Sequence, residues 1–141
     1  MNKLMSPLEI QLCDIQGRLF TLSAKKNLNS ESFINVFMNS KTCAGYDLPY
    51  DRSQWAGEEY LLEEIIDEYS INTDGNIWNL EVLFWIGYVY RYWHFLTGET
   101  SKEIYLQADA QLMADVYLGF HQLSCELAIE NLQEIAKKRD K

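Results

Sequence analysis

Residues 77–96 of this chain are apolar almost all the way round a helix, yet they contain an arginine and a histidine. A helix with this pattern either lies at the centre of a helical domain or crosses a membrane. A membrane span is disfavoured, because Glu81, Arg91 and His94 would lie inside the bilayer at a high cost in free energy. We therefore predict a central aromatic-rich helix over about 77–96, with Arg91 and His94 either buried or in a pocket.

The remaining sequence predicts further helices and no convincing strand. Ser6, Pro7 and Glu9 form a capping box with proline at the first helical position, which starts a helix. Other helices are expected from residue 29 or 30 to 38, from Ser53 to Tyr69, near 101–106, at 109–122 and from Ser124, whereas Gly45 and Pro49 indicate a loop over 41–51. We predict an all-α single domain over 1–141, a helical bundle of five to seven helices.

The first helix carries an apolar seam with alternating spacings of four and three residues: Leu8, Leu12, Ile15, Leu19 and Leu22. This spacing is that of a coiled-coil seam, which is narrower than most globular helix faces. It favours packing inside the bundle and leaves a homodimer through this seam open.

The charge balance limits the partners of the chain. There are 21 acidic and 12 basic residues, a formal net charge of −9. Such a surface repels nucleic acid and anionic membranes, so we expect neither to bind the protein on its own. Three scattered cysteines without a CxxC motif are typical of reduced core thiols, and the first residues lack the apolar core of a signal peptide, so the sequence predicts a cytoplasmic protein.

The most specific cluster of candidate site residues is a strip on the central helix. Gly87, Arg91 and His94 share one side of it, and Tyr88 is adjacent. A buried arginine needs a carboxylate, and Glu58 projects into the apolar face of the helix predicted at 53–69. Two interpretations remain. One is a structural Glu58–Arg91 ion pair with His94 beside it, and the other is a pocket for a nucleotide or ADP-ribosyl group lined by Glu58, Tyr88, Arg91 and His94.

Known catalytic patterns are absent from the sequence, which leaves enzymatic activity open but favours a binding protein. The Arg-x4-6-His motif of helical HEPN nucleases fails, since only two residues separate Arg91 from His94. With two histidines and no ExxH motif, no metal site is predicted, and no glycine-rich phosphate loop predicts a nucleotide cofactor.

Four segments resemble a family of small uncharacterised bacterial all-α proteins: 50–64 (YDRSQWAGEEYLLEE), 85–94 (WIGYVYRYWH), 98–102 (GETSK) and 104–119. Members of that family often sit beside small ADP-ribosyltransferase-like proteins in toxin–antitoxin-like gene pairs. The resemblance covers nearly the whole chain and implies the antitoxin or regulatory component of such a pair.

Together these observations favour a protein that binds a protein partner, with a basic toxin-like protein as the expected class. The predicted docking face is the outer side of the helix at 53–69, and its acidic residues are Glu59, Glu63, Glu64, Asp67 and Glu68. Charge complementarity would bring the two proteins together quickly and selectively.

Overall fold

The computed structural model describes residues 4–49, 51, 54, 56–73 and 75–140, and these residues form helices connected by turns and loops, without a strand. The helices are α1 (Pro7–Lys25), α2 (Ser30–Met38), α3 (Lys41–Tyr46), α4 (Glu58–Glu68), α5 (Leu80–Thr97), α6 (Ser101–Gln107), α7 (Ala110–Phe120) and α8 (Cys125–Arg139). The predicted all-α class is confirmed.

The described part of the chain contains eight helices rather than five to seven, because α3 occupies a segment predicted to be a loop. The hydroxyl of Ser40 accepts a hydrogen bond from the Cys43 N–H (2.9 Å) and caps the helix. Cys43 and Tyr46 are buried on its inner side. Burial of these two side chains therefore stabilises a helix that contains Gly45 and is too short to show a periodic pattern.

Two helices begin later than predicted. α4 begins at Glu58 instead of residue 53, and Ser53 and Trp55, which were assigned to this helix, lie outside the described residues. α5 begins at Leu80 instead of residue 77, because the Asn79 side chain accepts hydrogen bonds from the N–H groups of Glu81 and Val82. An asparagine in this position starts a helix by satisfying N–H groups that have no partner in the first turn.

α5 is the central element, as predicted. It packs against α1, α6, α7 and α8, and it ends at Gly98, whose positive φ of 79° is the left-handed conformation typical of a helix C-terminus. Its fully buried residues include Ile86, Val89 and Trp93. None of the helices in the described chain combines the length and the hydropathy needed to cross a bilayer.

α1 and α5 approach each other closely because each has a glycine at the crossing. A Cβ atom at Gly87 would lie 2.6 Å from the backbone oxygen of Gln16, and one at Gly17 would lie 2.8 Å from the ring of Phe84. The space beside Gly87 is therefore filled by the α1 backbone. This close packing brings Gln16 against the part of α5 that carries Arg91.

The apolar seam of α1 is used within the chain. Leu12, Ile15 and Leu19 in its middle are at most 7% exposed, whereas Leu8 at its N-terminal end is 42% exposed. The continuous part of the seam is thus already covered by the other helices.

Candidate functional site

Arg91 is fully buried, and each nitrogen of its guanidinium donates to a protein group. Nε donates to Gln16 Oε1 (2.9 Å), and Nη1 donates to Asp47 Oδ1 (2.6 Å). Nη2 lies 3.4 Å from both Cys43 Sγ and Ser101 Oγ. The guanidinium also stacks over the Tyr46 ring, 4.4 Å from its centroid. We call the residues Gln16, Cys43, Tyr46, Asp47, Arg91 and Ser101 the Arg91 network.

Asp47 is the carboxylate that balances this buried charge. It is 8% exposed at the side chain, and it accepts two further hydrogen bonds from Ser101, from the hydroxyl (2.7 Å) and from the backbone N–H (2.9 Å). Burial opposes the charge of Arg91, but the neighbouring Cys43 and Asp47 favour it, and the pKa of Arg91 ends above its ordinary value. The pair is therefore an ion pair whose remaining lone pairs are satisfied by α6.

The predicted Glu58–Arg91 ion pair is wrong. Glu58 lies at the first turn of α4, 21% exposed at its side chain, with its carboxylate 3.7 Å from Arg18 on α1. Helical spacing had placed Glu58 on the apolar face, but it is at the edge of that face, where a half-exposed partner is within reach. A buried arginine did require a carboxylate, and the end of α3 supplies it.

His94 connects the end of α5 to the end of α3. Its Nδ1 lies 2.6 Å from the carbonyl oxygen of Glu99, and its Nε2 lies 3.0 Å from the carbonyl oxygen of Asp47. Nδ1 is also 4.0 Å from Asp47 Oδ1. The ring thus holds the Asp47 backbone in place on one side, while Ser101 and Arg91 hold its carboxylate.

The Gly87–Arg91–His94 strip does not open to solvent. Gly87 packs on α1, Arg91 is 0% exposed, and the side chain of His94 is 13% exposed. Tyr88, the fourth predicted site residue, lies apart from this network in a ring stack with Phe84 and Tyr92, at centroid distances of 6.0 and 6.4 Å.

A surface cavity of about 460 Å³ lies next to the network, and Asp47 belongs to both. The end of α2, the helix α3 and the start of α6 form its walls. We call it the α3–α6 cavity; its lining residues are Met38, Asn39, Ser40, Lys41, Ala44, Gly45, Asp47, Leu48, Thr100 and Lys102. Of the residues predicted as a ligand site, none lines it.

The acidic residues predicted for partner binding lie together on α4, but not all are equally accessible. Glu59, Glu63 and Asp67 are exposed, and Glu64 is half-buried. Glu68 is exposed but engaged, because it accepts hydrogen bonds from the Lys41 N–H (3.2 Å) and the Thr42 hydroxyl (2.8 Å). Glu68 therefore has a structural role at the start of α3.

Sequence reasoning missed most of the Arg91 network. Only Gln16 carries a usable signal, since it lies one helical turn from both Leu12 and Leu19 and so interrupts the buried stripe of α1 with a polar residue. Asp47 and Ser101 carry no such signal. Asp47 lies at the end of a helix that the sequence periodicity does not show, and Ser101 directly follows the threonine that caps α6.

Among the described residues, no group of three or more histidine, cysteine, aspartate or glutamate side chains is arranged to hold a metal ion. Every buried side-chain nitrogen and oxygen in this part of the chain has a hydrogen-bond partner. Comparison of the chain with protein-family models, with curated proteins and with solved structures finds no match.

Proposed function

We propose that this chain is a partner-binding protein that holds a basic protein surface against the outer face of α4. The resemblance to the family found in toxin–antitoxin-like gene pairs extends the proposal to the antitoxin or regulatory component of such a pair. The observation that carries it is the concentration of accessible negative charge on one helix.

α4 carries six carboxylates and no basic residue in its eleven positions. Two of the six are occupied, Glu58 by Arg18 and Glu68 by the start of α3. We call the other four the acidic face: Glu59, Glu63, Glu64 and Asp67. Within the part of the chain that the structure describes, none of these four forms an ion pair with a lysine or arginine. Their charge is thus available to attract a basic partner over a Debye length of about 8–10 Å.

The acidic face also has apolar side chains that could anchor a partner after the encounter. Tyr60 and Ile66 are each 46% exposed on α4. Helical spacing places Tyr60 one turn away from Glu63 and Glu64. Tyrosine is one of the residues that most often dominate binding energy in protein interfaces, so this helix combines charges for steering with side chains for close contact.

The second function considered from the sequence, binding of a nucleotide at Arg91 and His94, has less support. The guanidinium is fully buried, and all three of its nitrogens already donate to protein groups. A ligand phosphate would have to displace Asp47, which would leave a buried carboxylate without its cation.

The proposal is tested with a triple variant, Glu59→Gln, Glu63→Gln and Asp67→Asn, and a matched control that removes the same charge elsewhere: Asp115→Asn, Glu130→Gln and Glu134→Gln on α7 and α8. The partner to be tested is the product of the adjacent gene, co-expressed with this chain and co-purified by size exclusion. Association rates are then measured at low and high salt.

We expect the α4 variant to associate about tenfold more slowly at low salt, and the difference to shrink at high salt, because long-range attraction is screened. The control variant should lose much less. If both variants slowed association equally, net charge alone would explain the effect. If the association rate of the α4 variant were unchanged, α4 would not be the docking face. Both results would contradict the proposal.

A further inference from the structure

The α3–α6 cavity has the size and shape of a small-molecule site. Its volume of about 460 Å³ lies within the range of roughly 300–1,000 Å³ that is usual for ligand clefts. Three helices contribute to its walls, and the neighbouring Arg91 network fixes two of them, since Asp47 at the end of α3 is bonded to Ser101 at the start of α6. Buried hydrogen bonds therefore hold the end of α3 and the start of α6 in place beside the cavity.

Part of the wall of the cavity is apolar. Met38, at the end of α2, is 1% exposed, and Ala44 continues the wall along α3. Leu48 is 58% exposed although it is a large aliphatic residue. A ligand with an apolar body would cover Leu48 and remove that surface from water, which is favourable in proportion to the area covered.

The rim of the cavity carries two lysines, Lys41 and Lys102. Neither forms an ion pair with a carboxylate in the described chain. Asp47 is the one acidic residue in the lining, and its charge is matched by Arg91 at 2.6 Å. Glu68 lies outside the lining, but its carboxylate bonds to the backbone N–H of Lys41 and also attracts the charge of Lys41. In a chain of net charge −9, the described lining of this cavity thus has two lysines and one carboxylate, and that carboxylate is already paired with Arg91.

We propose that the α3–α6 cavity binds a small amphiphilic anion, a molecule with a compact apolar body and one carboxylate or phosphate group. The apolar body would lie against Met38, Ala44 and Leu48, and the anionic group would lie between Lys41 and Lys102. This inference is independent of the partner-binding role of α4, because it concerns different residues and a different kind of ligand.

The test compares four probes that share an eight-carbon chain: octanoate, octyl phosphate, octanol and octylammonium, each kept below its micelle concentration. Binding is followed by chemical-shift changes in two-dimensional NMR spectra of the full chain. We expect octanoate, octyl phosphate or both to shift the signals of Ala44, Leu48 and Thr100 in a saturable manner. Octanol should bind at least tenfold more weakly, and octylammonium should not reach saturation. The relative affinities of octanoate and octyl phosphate identify which anionic group the site prefers.

The variant Lys41→Met with Lys102→Met should weaken the binding of the anionic probes at least tenfold and leave octanol unchanged. Lys25→Met with Lys26→Met, at the end of α1, is the matched control and should have no effect. All four lysines are exposed, so both variants should keep the fold, which an unchanged melting temperature verifies. Absence of saturable binding by either anion, or binding of octanol as strong as that of the anions, would overturn the proposal.

Discussion

At the scale of single residues, the dominant fact is a full positive charge at 0% exposure, matched by one carboxylate. The need for that carboxylate follows from the sequence, since an arginine on the buried side of an apolar helix must be paired. Its identity does not follow, because Asp47 lies some forty residues earlier in a segment without periodicity. Glu58 was predicted instead, because a helical projection places it on the apolar face of the helix at 53–69.

Replacing Asp47 with asparagine should be far more destabilising than replacing Glu58 with glutamine. Asp47→Asn leaves the buried Arg91 charge without a counter-charge, which costs about 3–5 kcal/mol in the free energy of unfolding. Glu58→Gln removes a half-exposed contact with Arg18 and should cost less than about 1 kcal/mol. Urea denaturation of both variants measures the difference. Similar losses for the two would mean that Arg91 finds compensation elsewhere.

At the scale of elements, the contact between α1 and α5 depends on two residues without side chains. Gly17 and Gly87 bring the helix backbones close enough for Gln16 Nε2 to donate to the Gly87 carbonyl (2.9 Å) while its Oε1 accepts from Arg91. A glycine at position 87 leaves room for either a neighbouring element or a ligand. Only the structure identifies the neighbour as a helix, since a one-dimensional pattern cannot say which two faces meet.

Gly87→Ala should therefore destabilise the protein, although alanine is the better helix former. The added Cβ would lie 2.6 Å from the Gln16 backbone oxygen, and separating the helices costs about 1–3 kcal/mol. Gly119→Ala on α7 is the control, because a Cβ there meets nothing within 4 Å; it should raise stability by about 0.5–1 kcal/mol. Opposite signs in thermal melts are the expected result. If Gly87→Ala were stabilising, the contact between α1 and α5 would have room for an added methyl group, which would contradict the prediction.

Helix starts were predicted well where a capping side chain was recognised and badly where it was not. Ser6 and Glu9 form the predicted capping box, and α8 begins after Ser124, as predicted. For α6 the sequence left Thr100 and Ser101 open as the cap, and Thr100 is the cap in the structure. The start of α3 was missed although Ser40 caps it locally, because its six residues are too few to show a periodic pattern. Glu68, 27 residues away from Lys41, satisfies a further N–H group of its first turn. This contact from another helix leaves no local signature in the sequence.

Glu68 should give the protein an acid-sensitive contribution to stability. Partial burial opposes its charge, but hydrogen bonds from Thr42, Tyr69 and the Lys41 N–H lower the pKa of Glu68 below its ordinary value of 4.5. A carboxyl whose pKa falls on folding stabilises the folded state fully above its unfolded value and loses this effect as the pH falls through the folded value.

Glu68→Gln should accordingly be less stable than the wild type at pH 7, and the difference should vanish as the pH falls below 4.5. Glu63→Gln, an exposed change on the same helix, should show no such convergence. Chemical denaturation at several pH values measures both. If the difference in unfolding free energy between Glu68→Gln and the wild type persisted in acid, its cause would be lost packing and not lost charge.

At the scale of the whole molecule, pattern and composition were sufficient for the fold class. The aromatic run at 77–96 predicted the central helix, and the one-sided apolar faces of the other helices predicted what surrounds it. The candidate site could not be predicted to the same degree, because the Arg91 network joins α1, α3, α5 and α6 through single polar residues. Such contacts depend on the tertiary arrangement and not on any local repeat.

The charge distribution leads to a prediction about nucleic acids. Lys25 and Lys26 at the end of α1 and the cluster at 137–139 in the last turn of α8 are short basic segments at helix C-termini. A chain of net charge −9 with such short clusters should not bind duplex DNA at about 150 mM salt. A gel-shift assay checks this. Tight binding that weakens steeply with salt would contradict it.

The three cysteines lie in three different helices, so the rate at which each one is chemically labelled reports how often its surroundings open. Burial raises the pKa of Cys13 on α1 and of Cys43 on α3 to about 12, and that of Cys125 on α8 to about 11. Because the thiolate is the reactive form, an alkylating reagent at neutral pH must wait until a helix opens. The half-buried Cys125 should be labelled first, and Cys43, enclosed with Arg91, should be labelled with Cys13 in the slowest phase. Mass spectrometry over time would then distinguish local opening of α8 from opening of the centre of the helical bundle, and the native cysteines are sufficient for this experiment.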